Sequence, residues 1–245
     1  MRFWKDFKSI CGPLAMSLVL VFFLAPRPLE EARPVDAAAE IEAPETPLVA
    51  LTFDDGPNRS TTTKLLDGLA QRGVKCTFFI VGEMIPGNED LIERMAAEGH
   101  QIGVHSYDHV YLTGLSSADF QAQVGRTNGI LSELTGGETF CIRPPYGAVD
   151  AGVEKKAPSA LILWSVDPED WKYKDAARVA AHVVSHAKDG DIVLLHDIYS
   201  TSVEAALDIV DVLHQRGFLF VTVEELAHAR HVKLAPGQVY REFYP

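Results

Sequence analysis

Two adjacent carboxylates, Asp54 and Asp55, end the apolar run Pro47-Leu48-Val49-Ala50-Leu51-Thr52-Phe53 and are followed at once by Gly56-Pro57. Neighbouring strand residues point to opposite faces, so the pair can serve two different partners at one strand end. A turn needs only one Asp to bond its own backbone. Two acids side by side repel unless a cation or an arginine sits near them. Downstream, His105-Ser106-Tyr107-Asp108-His109 places two imidazoles four residues apart, a spacing at which both reach one cation. With a strand-end Asp they form a set of two histidines and one carboxylate, which leaves coordination positions open for water, as a catalytic zinc ion requires. The same set describes a non-haem iron oxygenase. The second carboxylate, Asp54, separates the two. An oxygenase has no use for it, whereas a hydrolase needs a general base beside the metal. His196, after Ile192-Val193-Leu194-Leu195, offers the complementary acid across the site.

Two further segments carry candidate groups. In Arg143-Pro144-Pro145-Tyr146-Gly147 the prolines and the glycine fix a rigid turn. Arg143 can hold a carboxylate bidentately. The turn can aim an N–H at a developing oxyanion, and only Tyr146 and Gly147 have one to give. In Asp167-Pro168-Glu169-Asp170-Trp171 a carboxylate beside an indole suits a partner that sets another group's pKa, next to an apolar pocket wall. Each segment taken alone also reads as an ordinary turn. Together they ask what could bring them to one place.

Strand-like runs at Leu48–Phe53, Cys76–Val81, Gln101–Val104, Thr139–Arg143, Ala160–Val166, Asp191–His196 and Leu219–Thr222 alternate with helical patterns. The helices are expected at Ser60–Arg72, Glu89–Glu98, Ser116–Leu134, Asp150–Lys156, Asp175–Lys188 and Ser202–Gln215, with Ser60, Ser116 and Ser202 as N-caps and glycines after several C-termini. This alternation implies a parallel sheet, barrelled or doubly wound. Asp54-Asp55, His105, Arg143, Asp167 and His196 all follow strands. Five strand ends sharing one site favour a barrel mouth over the crevice of an open sheet. The expected fold is therefore α/β, a distorted (β/α) barrel of about seven parallel strands in a single domain.

The whole chain sets the remaining bounds. Its 245 residues, 47% hydrophobic, suffice for one large domain with a core. A net charge of −12 argues against a nucleic-acid partner. Arg2, Lys5 and Lys8 precede an apolar run from Pro13 to Ala25, which reads as an export signal or an uncleaved signal-anchor over 1–25. Residues 26–46, rich in Pro, Ala and Glu, read as a tether, leaving 47–245 as the catalytic domain. Cys76 and Cys141 lie in apolar runs and are expected as buried thiols rather than as a disulfide.

The segments Thr52-Phe53-Asp54-Asp55-Gly56-Pro57, His105 to His109, Arg143 to Gly147, Asp167 to Trp171 and Leu194-Leu195-His196-Asp197 resemble, in order, the five motifs of the polysaccharide deacetylases, the carbohydrate esterase family 4 or NodB-homology group. The resemblance covers almost all of 47–227. It implies a distorted barrel and metal-dependent removal of N-acetyl groups from amino-sugar polymers. On it, Asp54 is the general base, and Asp55, His105 and His109 hold a divalent metal, expected to be zinc, with cobalt or another divalent ion compatible. Tyr146 supplies the oxyanion N–H, Arg143 orients the base, Asp170 tunes the acid His196, and Trp171 and Leu195 line the acetate pocket. The implied partner is an N-acetylated polysaccharide outside the cell, with peptidoglycan expected before chitin oligomers or acetylxylan. The enzyme is expected as a monomer, reaching the membrane only through its N-terminal segment. A complete set of site residues argues against an inactive sugar-binding module.

Overall fold

The computed structural model describes residues 46–245. The signal or anchor expected at 1–25, and all but the last residue of the tether expected at 26–46, lie outside the described residues. Among the described residues no helix is long and apolar enough to cross a membrane.

The strand nearest the start of the described chain, β1 (Leu48–Asp54), organises the rest. Its side chains alternate. Val49, Leu51 and Phe53 join a large outer core shared with the helices, whereas Ala50 joins a smaller cluster with Phe79, Cys141, Ile162 and Ile192. The period of two therefore sends Ala50, Thr52 and Asp54 to one side and the bulkier residues to the other. The remaining strands are β2 (Thr77–Ile80), β3 (Gln101–Val104), β4 (Leu161–Ile162), β5 (Asp191–His196), β6 (Leu219–Phe220) and β7 (Val239–Tyr240). The main sheet runs β3-β2-β1-β5, and β6 also pairs with β1. Val49 pairs with both Asp191 and Phe220, and Thr52 with both Leu194 and Thr77. A strand has only two edges, so β5 holds one edge of β1 while β6 and β2 share the other. That wedge is one source of the barrel's distortion.

The barrel closes through single parallel bridges rather than full ladders: Val104 to Ile142, Ile142 to Leu161, and Val166 to Val193. The strand expected at Thr139–Arg143 is thus one rung wide. Pro144 and Pro145 follow at once and have no N–H to extend the ladder. The run expected at Ala160–Val166 is likewise reduced to β4 and the Val166 bridge, and β4 takes a partner that the sequence reading missed, β7.

Among the described residues, eight of the nine α-helices surround this sheet or brace its mouth: α1 (Thr61–Arg72), α2 (Glu89–Ala97), α3 (Ser117–Phe120), α4 (Arg126–Thr135), α5 (Ala151–Lys156), α6 (Asp170–Tyr173), α7 (Ala176–His186) and α8 (Ser200–Gln215). The ninth, α9 (Val223–Ala229), puts Val223, Leu226 and Ala227 into the inner cluster. The helix expected at Ser116–Leu134 is interrupted by a π turn at Gln121–Gly125 between α3 and α4. From that turn Gln123 accepts the N–H groups of Tyr107 and Asp108 at 3.0 and 3.3 Å, and the Thr127 hydroxyl donates to the Ser106 carbonyl at 2.9 Å. The helix thereby holds the loop that carries the two histidines. Ser116 caps as expected. Ser60 does not, because the Asn58 side chain accepts from the N–H groups of Ser60 and Thr61 in its place. Ser202 is not a cap either; α8 begins two residues earlier and frees its hydroxyl for another task. Cys76 and Cys141 are free, buried thiols, as expected.

Candidate active site

The inward face of the barrel is apolar at one end and charged at the other. Above Ala50, Phe79 and Ile162 lies Arg143, wholly buried, with its guanidinium 4.1 Å from the centre of the Phe79 ring. Arg143 Nη1 donates to Asp54 Oδ1 at 2.8 Å and to Thr52 Oγ1 at 2.7 Å. Its Nε and Nη2 donate to the carbonyls of Ile162 and Leu163 at 3.2 and 3.0 Å. The contact with Asp54 is therefore single rather than bidentate, because the other nitrogens tie the arginine to the β4 segment. Burial lowers the Arg143 pKa, and the adjacent Asp54 opposes that loss. Thr52, which the sequence reading left unassigned, belongs to this cradle, and its own hydroxyl donates to the Val193 carbonyl at 2.7 Å.

Asp55, His105 and His109 bring one ligand atom each to within 4.8 Å of one another. His105 Nδ1 lies 2.6 Å from the Arg143 carbonyl, an acceptor only, which assigns the hydrogen to Nδ1 and turns the Nε2 lone pair toward the carboxylates. The Tyr146 hydroxyl donates to the His109 carbonyl at 3.3 Å and so accepts from His109 Nδ1 at 3.2 Å, which fixes the second imidazole in the same sense. The two Nε2 atoms stand 3.5 and 3.2 Å from Asp55 Oδ1 without hydrogen-bond alignment, and that buried oxygen has no hydrogen-bond partner. Burial opposes ionisation of Asp55, but the two facing imidazoles outweigh it and hold the carboxyl below the usual range. Asp55 in turn raises the His109 pKa against the opposing effect of burial. An orphaned carboxylate oxygen facing two oriented nitrogen lone pairs fits a divalent cation in both charge and donor type.

Asp54 is the register partner of His196 on β5, so these two groups occupy neighbouring strand ends rather than facing ones. His196 Nδ1 donates to Asp170 Oδ1 at 2.8 Å, and the His196 backbone N–H donates to Asp170 Oδ2 at 2.9 Å. Ser202, freed from capping, donates its hydroxyl to the same Oδ2 at 2.5 Å. Burial alone would lower the His196 pKa; the Asp170 hydrogen bond and charge reverse that and raise it to about 9.

The remaining expected residues divide. Tyr146 adopts a positive φ of 60° in the Pro145–Gly147 turn, stays exposed and touches His109. Trp171 is half exposed beside Asp170 at the start of α6. Leu195 is a correction. It is wholly buried in the outer core with Phe53, facing the helices, because one step along a strand reverses the face. Leu194 shares the parity of His196 along β5. Asp167 caps its own turn by accepting the Glu169 N–H at 2.8 Å and takes no place among the ligand atoms. A cavity of about 340 Å³ lined by His100, Gln101, Thr222 and Glu224 lies at the other end of the strands, away from all of these groups.

Asp197 is buried against Gly56, shares a short hydrogen bond with the Thr62 hydroxyl, and is raised to about 7 by burial. A Cβ at Gly56 would collide with both carboxylate oxygens of Asp197. Gly56→Ala is accordingly expected to cost about 1–3 kcal/mol, a fall of several degrees in Tm by thermal melting. Adding Asp197→Ala should shrink the extra cost, because the clash is with its carboxylate. Additive losses in the double variant would show that the close approach does not matter.

A barrel mouth with this ligand trio and two hydrogen-bonded acid–base pairs defines a class. The polysaccharide deacetylase family model matches residues 42–161, and the chain belongs to that family. Over 194 residues it is 41% identical to the peptidoglycan-N-acetylglucosamine deacetylase PgdA of Listeria monocytogenes, a match that covers 77% of this chain and 42% of that protein. A peptidoglycan-N-acetylglucosamine deacetylase of Bacillus cereus is 36% identical, with 75% of this chain and 90% of that protein covered. Among solved structures, a family 4 acetyl xylan esterase from Clostridium thermocellum in complex with a cobalt ion superposes with a TM-score of 0.76 at 31% identity, covering 80% of this chain and 98% of that one. The chain thus spans about two fifths of the length of its Listeria relative.

Proposed function

We propose that this protein is a metal-dependent hydrolase that removes N-acetyl groups from an amino-sugar polymer outside the cell, with peptidoglycan as the polymer and residues 47–245 as the catalytic domain. The observation that carries the reading is the convergence of Asp55, His105 and His109 beside two separate hydrogen-bonded pairs, Asp54–Arg143 and His196–Asp170. Similarity to peptidoglycan deacetylases supports the substrate class.

Asp55, His105 and His109 are the residues that would hold the metal, and zinc suits their mixed nitrogen and oxygen donors. When bound there, a divalent cation would acidify a water molecule and polarise the acyl oxygen. Asp54, held by Arg143, takes the proton of the attacking water as general base. His196, held protonated by Asp170 at neutral pH, gives a proton to the departing sugar nitrogen. The Gly147 N–H is spent on the Pro144 carbonyl at 3.0 Å, which leaves Tyr146 as the turn's donor for the oxyanion. Trp171, with Leu194 in place of Leu195, bounds the space for the acetyl methyl. Residues 1–25 export or anchor the chain, and 26–46 tether the domain within reach of the wall.

The test is acetate release from peptidoglycan, chitin oligomers and acetylxylan, with and without a chelator. Chelation should abolish release while leaving far-UV circular dichroism unchanged, because the metal sits at strand ends rather than in the core. Unfolding on chelation, or release that survives it, would overturn the reading.

The raised His196 pKa sets a pH dependence. A general acid must be protonated, so activity falls as pH rises through its pKa, about 9 in this environment. In Asp170→Asn the hydrogen bond weakens, the charge disappears and burial remains, so the alkaline limb should move to lower pH. Profiles of kcat/KM for both proteins, each loaded with the same metal, measure the shift. An unmoved limb would remove His196 from the acid role.

A further inference from the structure

Six large apolar or aromatic side chains are exposed among the described residues; of these, Val110, Tyr111 and Tyr146 lie in the loop and turn beside the ligand trio, and Trp171 lies in α6 next to Asp170. Tyr111 and Tyr146 are stacked, with ring centroids 4.3 Å apart and planes inclined by 27°. Tyr146 also packs edge-to-face with His109 at 4.7 Å. The order outward from the metal ligands is therefore His109, Tyr146, Tyr111. The stack consumes one face of each tyrosine ring. Tyr111 is nevertheless 55% exposed, so its second face is open to solvent. Leaving an aromatic face in water costs hydrophobic free energy that nothing in the fold recovers, which marks it as a binding surface.

Resting on the deacetylase reading, we infer that the outer face of Tyr111 is a sugar-stacking subsite, and that it receives the pyranose next to the one that loses its acetyl group. A pyranose ring presents axial C–H groups on a flat face with hydroxyls around the rim, the complement of an exposed tyrosine ring with a polar tip. Tyr111 lies one aromatic ring farther from the ligand trio than Tyr146, so it touches a neighbouring sugar rather than the reacting one. It is a specificity-determining residue that selects a polymer over a single amino sugar. Binding gained there contributes at a distance from the reacting bond and holds the chain in register over it.

The competing account is that Tyr111 only props Tyr146 against His109, and substrate length separates the two. The full chain, loaded with divalent metal, is assayed as wild type, Tyr111→Ala and Tyr111→Phe on the pentasaccharide of N-acetylglucosamine and on the single sugar. For Tyr111→Ala, kcat/KM on the pentasaccharide should fall about tenfold, or about 1.4 kcal/mol, mostly through KM, with less than a twofold change on the single sugar. Tyr111→Phe should match wild type on both, because the phenyl face is kept. An equal loss on both substrates would assign Tyr111 to propping Tyr146, and no loss on the pentasaccharide would leave it without a role; either overturns the inference. A wild type that releases no acetate from any glycan would sink the deacetylase reading itself. Calorimetric titration of the pentasaccharide then decides the subsite, which fails if wild type does not bind it or if Tyr111→Ala binds it equally.

Discussion

Asp54→Asn is expected to keep its divalent metal and lose nearly all turnover, while Asp55→Asn loses the metal itself. The two residues are adjacent, yet the strand end gives them separate partners. Asp54 is buried and hydrogen-bonded to Arg143 at 2.8 Å, whereas Asp55 presents an oxygen with no hydrogen-bond partner to His105 and His109. An amide at 54 can still accept the Arg143 hydrogen bond but cannot take a proton from water. Removing a general base typically costs on the order of 100- to 10,000-fold in rate. An amide at 55 keeps the shape and loses the charge that balances the cation. Metal content measured beside acetate release on each variant reads both effects. A fully active Asp54→Asn, or an Asp55→Asn that retains its metal, would reverse the assignments and with them the mechanism.

Arg143→Met should be the most destabilising single change at the site. The guanidinium is wholly buried and donates to Thr52, Asp54, Ile162 and Leu163. Methionine fills part of the volume but leaves a buried carboxylate without its counter-charge and two carbonyls without their donor. Breaking a buried pair from one side typically costs about 3–5 kcal/mol, on the order of 10 °C in Tm for a domain of this size. The double variant Asp54→Asn, Arg143→Met should lose clearly less than the sum of the two single losses, since the orphaned charge is gone. Thermal melts of the three variants test this. A loss below about 1 kcal/mol for Arg143→Met would mean that the barrel solvates Asp54 without the arginine.

Much of the architecture was legible because burial on both faces of a parallel strand leaves an apolar run and a polar stop. Gln101–Val104 and Asp191–His196 match β3 and β5 to the residue, and β1 differs by one. The errors have separate causes. Thr139–Arg143 has strand composition but only one rung, because Pro144 and Pro145 follow it and have no N–H to extend the ladder. The helix α9 carries a readable signal, a capping box from Thr222 to Glu225 directly after the short strand β6. The strand β7 has no signal of its own; two residues become a strand only because β4 offers an edge.

The sequence by itself determined which chemical groups are available and where each sits on its own element. Residue type makes Asp55, His105 and His109 competent to hold a cation, and strand ends place them at the same rim. Two-residue periodicity along β5 also determined that Leu194 and not Leu195 shares a face with His196. Only the tertiary structure decided the pairings across the barrel. Arg143 reaches Asp54 because a one-rung stave threads it into the interior, and Ser202 reaches Asp170 because α8 starts early. The raised His196 pKa and the outward stack of Tyr111 on Tyr146 belong to the same group. These depend on distances between residues far apart in the chain, fixed by closure of the barrel, and no local pattern encodes such a distance.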